Sequence, residues 1–293
     1  IYQAVKISDH VYWVGAIDWA IRDFHGYTTP HGSTYNAYLV MADKITLIDT
    51  VKAPFMDEML SRIASVVDPS KIDYIISNHS EQDHTGCLWQ VAELVKPEKI
   101  FASAMGVKAL GEIFHKNNSI EAVKDGQSLS LGNMDLKFME TRMIHWPDSM
   151  FSYLEKDGVL FSQDAFGMHL ATFERFDDEL AADMLEYEAA TYYANIVLPF
   201  SPQVLKTLEK VAASGWTIKI IAPDHGPVWR KDLNFILNLY NKWARQVRVK
   251  KAVVVYATMW HSTQMMAEAI AESLAEEGIR VKLLNVDDAH RSE

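Results

Sequence analysis

Asn78-His79-Ser80-Glu81-Gln82-Asp83-His84 places two imidazoles and two carboxylates within six positions, directly after an apolar run at residues 74–77. Neither a straight strand nor a regular helix can aim all four side chains at one point. Side chains alternate across a strand and fan around a helix at 3.6 residues per turn. A tight loop leaving a strand can do so, and Gly86 offers backbone freedom where the next helix begins. The stretch reads as a binuclear metal loop, against the ordinary alternative of a solvated polar turn.

Three further apolar runs end in metal-capable side chains: residues 136–139 before His145, 159–162 before Asp164, and 218–222 before His225. Strand ends are where sites assemble in layered α/β folds. His10, His31, His115, His169 and His290 stand outside this pattern and read as ordinary surface or core residues. Cys87 is the only cysteine, which excludes internal disulfides, thiolate zinc sites and cysteine-ligated clusters. Any iron must therefore sit on nitrogen and oxygen. Imidazole with carboxylate suits iron, manganese or zinc, and spacing alone does not choose among them.

The 293 residues exceed one average domain, and 28 Lys and Arg against 39 Asp and Glu give a formal charge of −11. That charge repels phosphate backbones and anionic lipid, so neither nucleic acid nor membrane is an expected partner. No run reads as a membrane span or an export leader, so a cytoplasmic location is expected. Apolar runs at 11–17, 35–41 and 45–48 predict strands, the last two as a hairpin. Helical periodicity follows at 54–67, 86–95 and 104–115. A second β-rich passage covers 122–141 and 159–162, then helices are expected over 177–196 and 202–213, a strand at 218–222 and a helix at 231–245. The alternation predicts α/β layering. A basic stretch at 245–251 leads into a new apolar strand at 252–257, which puts a domain boundary near residue 249. The expected domains are 1–249 and 250–293.

The pattern His79-x-Glu81-x-Asp83-His84 resembles the His-x-His-x-Asp-His of the metallo-β-lactamase superfamily, with Glu81 in place of the second histidine. A hard anionic oxygen there favours iron over zinc and helps offset the charge of a metal pair during redox turnover. Further stretches carry a closer resemblance: Val14-Gly15-Ala16-Ile17-Asp18-Trp19, Arg22-Asp23-Phe24-His25-Gly26, Thr34-Tyr35-Asn36-Ala37-Tyr38-Leu39, His145-Trp146-Pro147-Asp148-Ser149-Met150, Tyr192-Tyr193-Ala194-Asn195-Ile196 and Asp224-His225-Gly226. Over essentially the whole chain these residues resemble the flavodiiron proteins, or A-type flavoproteins. The resemblance implies a metallo-β-lactamase-like αββα sandwich followed by the start of a flavodoxin-like doubly wound domain. It implies one iron on His79, Glu81 and His145, the other on Asp83 and His225, and Asp164 as the bridge. His84 matches a histidine that binds iron in some members and swings away in others. His25 and one of Tyr192 or Tyr193, with Tyr193 preferred, would lie near the substrate pocket.

After the boundary, a strand, the hydroxyl-rich loop Thr258-Met259-Trp260-His261-Ser262-Thr263 and a helical pattern through Met266, Ile270 and Leu274 form a phosphate-site arrangement. An ordinary helix cap is the plain alternative, but the position resembles the FMN loop of the same family. A flavodoxin-like sheet needs about five parallel strands, so residues 250–293 are expected to supply only its beginning. The resemblance further implies reduction of O2 to water, of NO to N2O, or both, with electrons from FMN and from an external donor such as rubredoxin. It also implies a head-to-tail homodimer or a dimer of dimers. A zinc hydrolase of the metallo-β-lactamase type is the alternative from another class, and a non-catalytic flavin or gas sensor a third.

Overall fold

The computed structural model describes residues 2–115 and 120–290. Two sheets face each other. The first has seven strands in the order Val5–Lys6, Val11–Trp13, Tyr38–Val40, Thr46–Ile48, Tyr74–Ser77, Lys99–Ser103 and Ile120–Val123. The second has five, Ser128–Ser130, Asp135–Glu140, Met150–Leu154, Val159–Gln163 and Ile220–Pro223. Strand alternation sorts their side chains into layers. Tyr38, Val40, Ile48, Ile76 and Phe101 of the first sheet meet Leu136, Phe138, Met150, Leu154 and Phe161 of the second in one buried cluster. Leu39, Leu47 and Ile75 point the other way, onto the helices Met56–Ala64, Leu88–Val95 and Ala104–Phe114. Phe151, Tyr153, Leu160 and Ile221 pack under the helices Ala182–Tyr192, Ser201–Ala213 and Leu233–Ala244. The result is an αββα sandwich. Phe138 is buried between the sheets, so Phe138→Ala is expected to cost about 3–5 kcal/mol in denaturant unfolding.

Most expected elements form, with informative differences. The hairpin pairs Tyr38 with Ile48 as anticipated. The single strand expected at 11–17 is two, Val11–Trp13 and Ala16–Asp18, in different sheets. Gly15 sits at the break, where a Cβ would come within 2.2 Å of the Tyr35 carbonyl oxygen. The β-rich passage at 122–141 is the crossover: Ile120–Val123 closes the first sheet and Ser128–Ser130 opens the second. Met150–Leu154 was not anticipated as a strand. It is central and buried on both faces, so it has no polar alternation to betray it. The helix expected at 177–196 begins only at Ala182, and continues past Tyr192 as a π-helical turn, Tyr193–Val197.

Beyond Leu233–Ala244, Lys251–Tyr256 pairs in parallel with Arg280–Asn285, and Ser262–Glu276 is the helix between them. Val253 and Val255 are exposed on this pair. No helix among the described residues is long and apolar enough to cross a membrane.

Candidate metal centre

One edge of the sandwich gathers the carboxyl ends of strands from both sheets. His79 follows Tyr74–Ser77, His145 lies beyond Asp135–Glu140, Asp164 immediately follows Val159–Gln163, and His225 comes two residues after Ile220–Pro223. The loop after Tyr74–Ser77 is half extended and half helical, because a single turn, Gln82–Thr85, starts right after Glu81. His79 and Glu81 precede the turn, while Asp83 and His84 lie within it. Thr85 pins it by donating from its hydroxyl to the Ser80 and Glu81 carbonyls at 2.9 Å each. Gly86 has ordinary helical angles, φ −58° and ψ −30°. Glycine is required there by crowding, since a Cβ would lie 2.7 Å from the Ala53 amide nitrogen. Close approach, not the backbone freedom expected from the sequence, is the reason for glycine at 86.

The structure brings the seven anticipated side chains His79, Glu81, Asp83, His84, His145, Asp164 and His225 into one cluster. Asp164 divides it. Its Oδ2 lies 2.9 Å from His145 Nε2 and 3.4 Å from His79 Nε2. Its Oδ1 lies 3.1 Å from His84 Nε2 and 3.5 Å from His225 Nε2. Glu81 Oε2 completes the first half, 3.3 Å from His79 and 3.2 Å from His145. Asp83 Oδ2 completes the second, 3.1 Å from His225 and 3.3 Å from His84. His79, Glu81, His145 and Asp164 each offer a donor atom within 4.8 Å of the others, and so do Asp83, His84 and His225. Both oxygens of Asp83, Oδ1 of Asp164, Nε2 of His84 and Nε2 of His225 are buried without a hydrogen-bond partner. Burying so many unsatisfied polar atoms is costly unless a cation takes their lone pairs. The donor set of imidazole and carboxylate fits a pair of hard divalent ions, with the three carboxylates balancing much of their charge.

Outer contacts aim the ligands. Asp148 accepts from the Ser80 amide at 2.6 Å and faces His79 Nδ1 at 3.2 Å. His225 Nδ1 donates to the Thr34 carbonyl at 2.5 Å. Asn78, one residue before His79, donates from its amide and side chain to Asp49 at 2.7 and 2.9 Å. Asn36 clamps the other sheet, donating from Nδ2 to the Pro223 and Gly226 carbonyls at 2.7 and 2.9 Å and accepting from Trp13 Nε1 at 2.8 Å. Asn36→Ala strands the buried Gly226 carbonyl and Trp13 Nε1 and leaves the Pro223 carbonyl only its bond from the Tyr38 hydroxyl. It is expected to cost about 3 kcal/mol and to weaken metal retention, as read by unfolding and metal analysis on one sample.

Burial works against ionisation of Glu81, Asp83 and Asp164. The facing histidines overcome it, and hold all three below the usual carboxylate range. Conversely, burial disfavours the imidazolium of His79, His84 and His145, yet their carboxylate partners raise all three above the ordinary histidine value. A ligating imidazole must be neutral. With no cation bound, these histidines therefore hold protons that metal entry displaces. Metal loading should release protons and weaken as pH falls through the raised histidine range. Proton release in a weakly buffered titration checks this, and pH-independent loading without release contradicts it.

The two residues expected near a substrate pocket part company. His25 stands over the cluster, with Nε2 3.2 Å from Glu81 Oε1. Tyr193 does not reach it. Its hydroxyl shares a hydrogen bond with Ser201 Oγ at 2.9 Å and its ring packs on Tyr240 and Trp243. Tyr192 is the neighbour of the site, its ring centroid 6.1 Å from that of His225 and its hydroxyl buried without a partner. Adjacent helical residues point about 100° apart, so only one of the pair can face the metals. Sequence reasoning also passed over His169, which is buried 4.6 Å from the His225 ring centroid. Burial, then the nearby His225 and His25, push His169 well below the ordinary histidine range. Nothing in the stretch Ala165-Phe166-Gly167-Met168 before it marks it out.

In the carboxy-terminal unit, Thr258 Oγ1 is buried without a partner just ahead of the helix Ser262–Glu276. His261 caps that helix start in a left-handed conformation, φ 63°. Met259 and Trp260 are exposed.

A family model described as ODP family beta lactamase matches residues 34–226, and one described as Flavodoxin matches residues 254–293. The rubredoxin-oxygen oxidoreductase of Megalodesulfovibrio gigas is 48% identical over 295 residues, 99% of this chain and 73% of that protein. The chain belongs to the flavodiiron protein family. Among other members of that family, the nitric oxide reductase of Moorella thermoacetica is 43% identical over 99% of this chain and 74% of its own length. Of solved structures, the rubredoxin oxygen:oxidoreductase of Desulfovibrio gigas superimposes with a TM-score of 0.97 at 47% identity, covering 99% of this chain and 73% of that one. The flavodiiron protein of Giardia intestinalis gives 0.94 at 35% identity, covering all of this chain and 72% of its own. The αββα sandwich and the flavodoxin match are those of the family.

Proposed function

We propose that this flavodiiron protein reduces O2 to water, NO to N2O, or both. The division of Asp164, with one oxygen toward each histidine set, carries the reading. In it His79, Glu81, His145 and Asp164 would hold one iron, and Asp83, His84, His225 and Asp164 the other. His84 is included because its Nε2 is directed at both Asp83 and Asp164. When bound, the irons would supply redox chemistry and open positions for a small diatomic substrate.

The chain's own residues do the rest. Histidines pinned from behind by Asp148 and Thr34 keep both metal positions fixed. His25 presents a hydrogen-bonding nitrogen at the Glu81 side, and Tyr192 supplies a buried hydroxyl near His225. FMN phosphate would bind the loop Thr258, Met259, Trp260, His261, Ser262 and Thr263, where the Thr258 hydroxyl and the helix amides are suited to an anion. We assign 1–249 to the di-iron domain and 250–293 to the start of the flavin domain. A cytoplasmic location, rubredoxin as electron donor and a head-to-tail homodimer or dimer of dimers complete the proposal.

The test is metal and flavin analysis of the full-length protein, then anaerobic reduction and separate additions of O2 and NO. Two irons and one FMN per chain with oxidant-dependent turnover are expected. Zinc without flavin or redox turnover would overturn the reading in favour of a hydrolase.

A further inference from the structure

Trp13 carries two buried guanidinium groups. The Cζ of Arg175 lies 4.2 Å from the centre of the indole and that of Arg62 4.6 Å, and all three side chains are buried. Arg62 has a carboxylate partner, donating from Nη2 to Glu58 Oε1 at 2.7 Å. Arg175 donates from Nη2 to two neutral groups, the Thr172 and Glu174 carbonyls, and its Nη1 is buried without a partner. Burial pulls this guanidinium down to about 10, which leaves it charged at neutral pH. A buried cation is costly unless something faces it, and the π face of the indole faces Arg175.

The same indole is a donor. Trp13 Nε1 donates to Asn36 Oδ1 at 2.8 Å, and Asn36 Nδ2 donates to the Gly226 carbonyl at 2.9 Å. Two residues further on, the Val228 amide donates to the backbone carbonyl of Arg175 at 2.8 Å. The contacts close a circuit through Gly226, Asn36, Trp13, Arg175 and Val228. His225 immediately precedes Gly226, and its Nε2 is aimed at Asp83 and Asp164.

We propose that Arg175 and Trp13 are positioning residues for the His225 half of the metal cluster: the guanidinium braces the indole, and the indole holds Asn36 on the loop from which His225 projects. The inference rests on the ligand assignment above. A cation over the ring draws π density toward itself and leaves the indole N–H a stronger donor to Asn36. The other half of the cluster is supported elsewhere, by Asp148 behind His79. Loosening the circuit should therefore act on one metal position and spare the other.

The experiment compares Arg175→Met, Arg175→Lys and Trp13→Phe in the full-length, iron-loaded protein. Phe138→Ala serves as a variant that weakens the core without removing a link of the circuit. Release of iron to a chelator is followed in time. In Arg175→Met, one iron of the two should leave about tenfold faster and the other at the parent rate. Lysine keeps the cation and should recover most of the difference. Trp13→Phe keeps a ring but loses the N–H, and should show the same split, carrying the test if the methionine variant does not fold. In 1H–15N spectra of the zinc-loaded protein, the Trp13 indole proton should move upfield in Arg175→Met and stay in place in Arg175→Lys. Equal acceleration of both irons, as expected of Phe138→Ala, unchanged release, or lysine no better than methionine overturns the proposal. A parent that holds two irons but reduces neither gas overturns the oxidoreductase reading and leaves the brace standing.

Discussion

Asp164→Ala is expected to leave the chain folded with less than one iron per chain, and to lower oxidant turnover by about a thousandfold or more. That exceeds the 10–100-fold typical of losing an outer hydrogen-bond partner of a ligand. The reason is positional: among the described residues, Asp164 is the one carboxylate whose two oxygens face both histidine pairs. Removing it deprives each metal position of an anionic donor. Asp164→Asn separates the two roles, because an amide offers a single neutral oxygen. One iron should survive in that variant and turnover should still be lost, since the reduction of either gas draws on two metals. Stability should fall both with and without metal. In the metal-free protein, removing Asp164 takes the shared carboxylate partner from the buried histidines His79, His84 and His145 and should lower the unfolding midpoint. In the loaded protein it removes binding energy and should lower it as well. Metal analysis with thermal unfolding in both forms checks this. Two irons retained in the alanine variant would contradict the bridging assignment.

The second large effect is expected from Glu81→His, which writes the zinc-type pattern His-x-His-x-Asp-His into the same loop. Glu81 starts the one-turn helix Gln82–Thr85 through its backbone, and its side chain reaches His79, His145 and His25. A histidine can be accommodated by that backbone, so the fold should persist. The site would lose one negative charge and exchange a hard oxygen for a borderline nitrogen donor. Loading from equimolar iron and zinc should shift toward zinc by about tenfold or more. Turnover with O2 or NO should fall about a hundredfold or more, even in samples reconstituted with iron alone, because His25 also loses the Oε1 that it faces. Unchanged metal preference together with unchanged turnover would show that the glutamate has no part in choosing iron.

The candidate cluster was legible in the sequence because four of its members are local. His79, Glu81, Asp83 and His84 fall within six positions, and no regular element could use them otherwise. His145, Asp164 and His225 could be added because each lies beyond an apolar run, and the strand ends of a layered fold share an edge. Alternation and helical period gave the α/β layering, and the resemblance to the flavodiiron proteins implied the αββα order. The strand Met150–Leu154 was not legible, since a segment buried on both faces shows no alternation.

What only the tertiary structure decided concerns direction. Tyr192 and Tyr193 are indistinguishable as letters, and the phase of the helix Ala182–Tyr192 against the second sheet turns the first toward His225 and the second toward Ser201 and Trp243. Gly86 reads in the sequence as a point of backbone freedom and is instead a place where the chain after the Gln82–Thr85 turn touches the backbone at Ala53. His169 looked like any core histidine until the hairpin bearing His25 and the strand bearing Ser33 closed on either side of it. Sequence determines which chemical groups are available and which element carries each, because periodicity and clustering are properties of neighbouring residues. Which face each group presents, and to whom, depends on packing between segments more than a hundred residues apart, as in the 144-residue separation of His25 from His169.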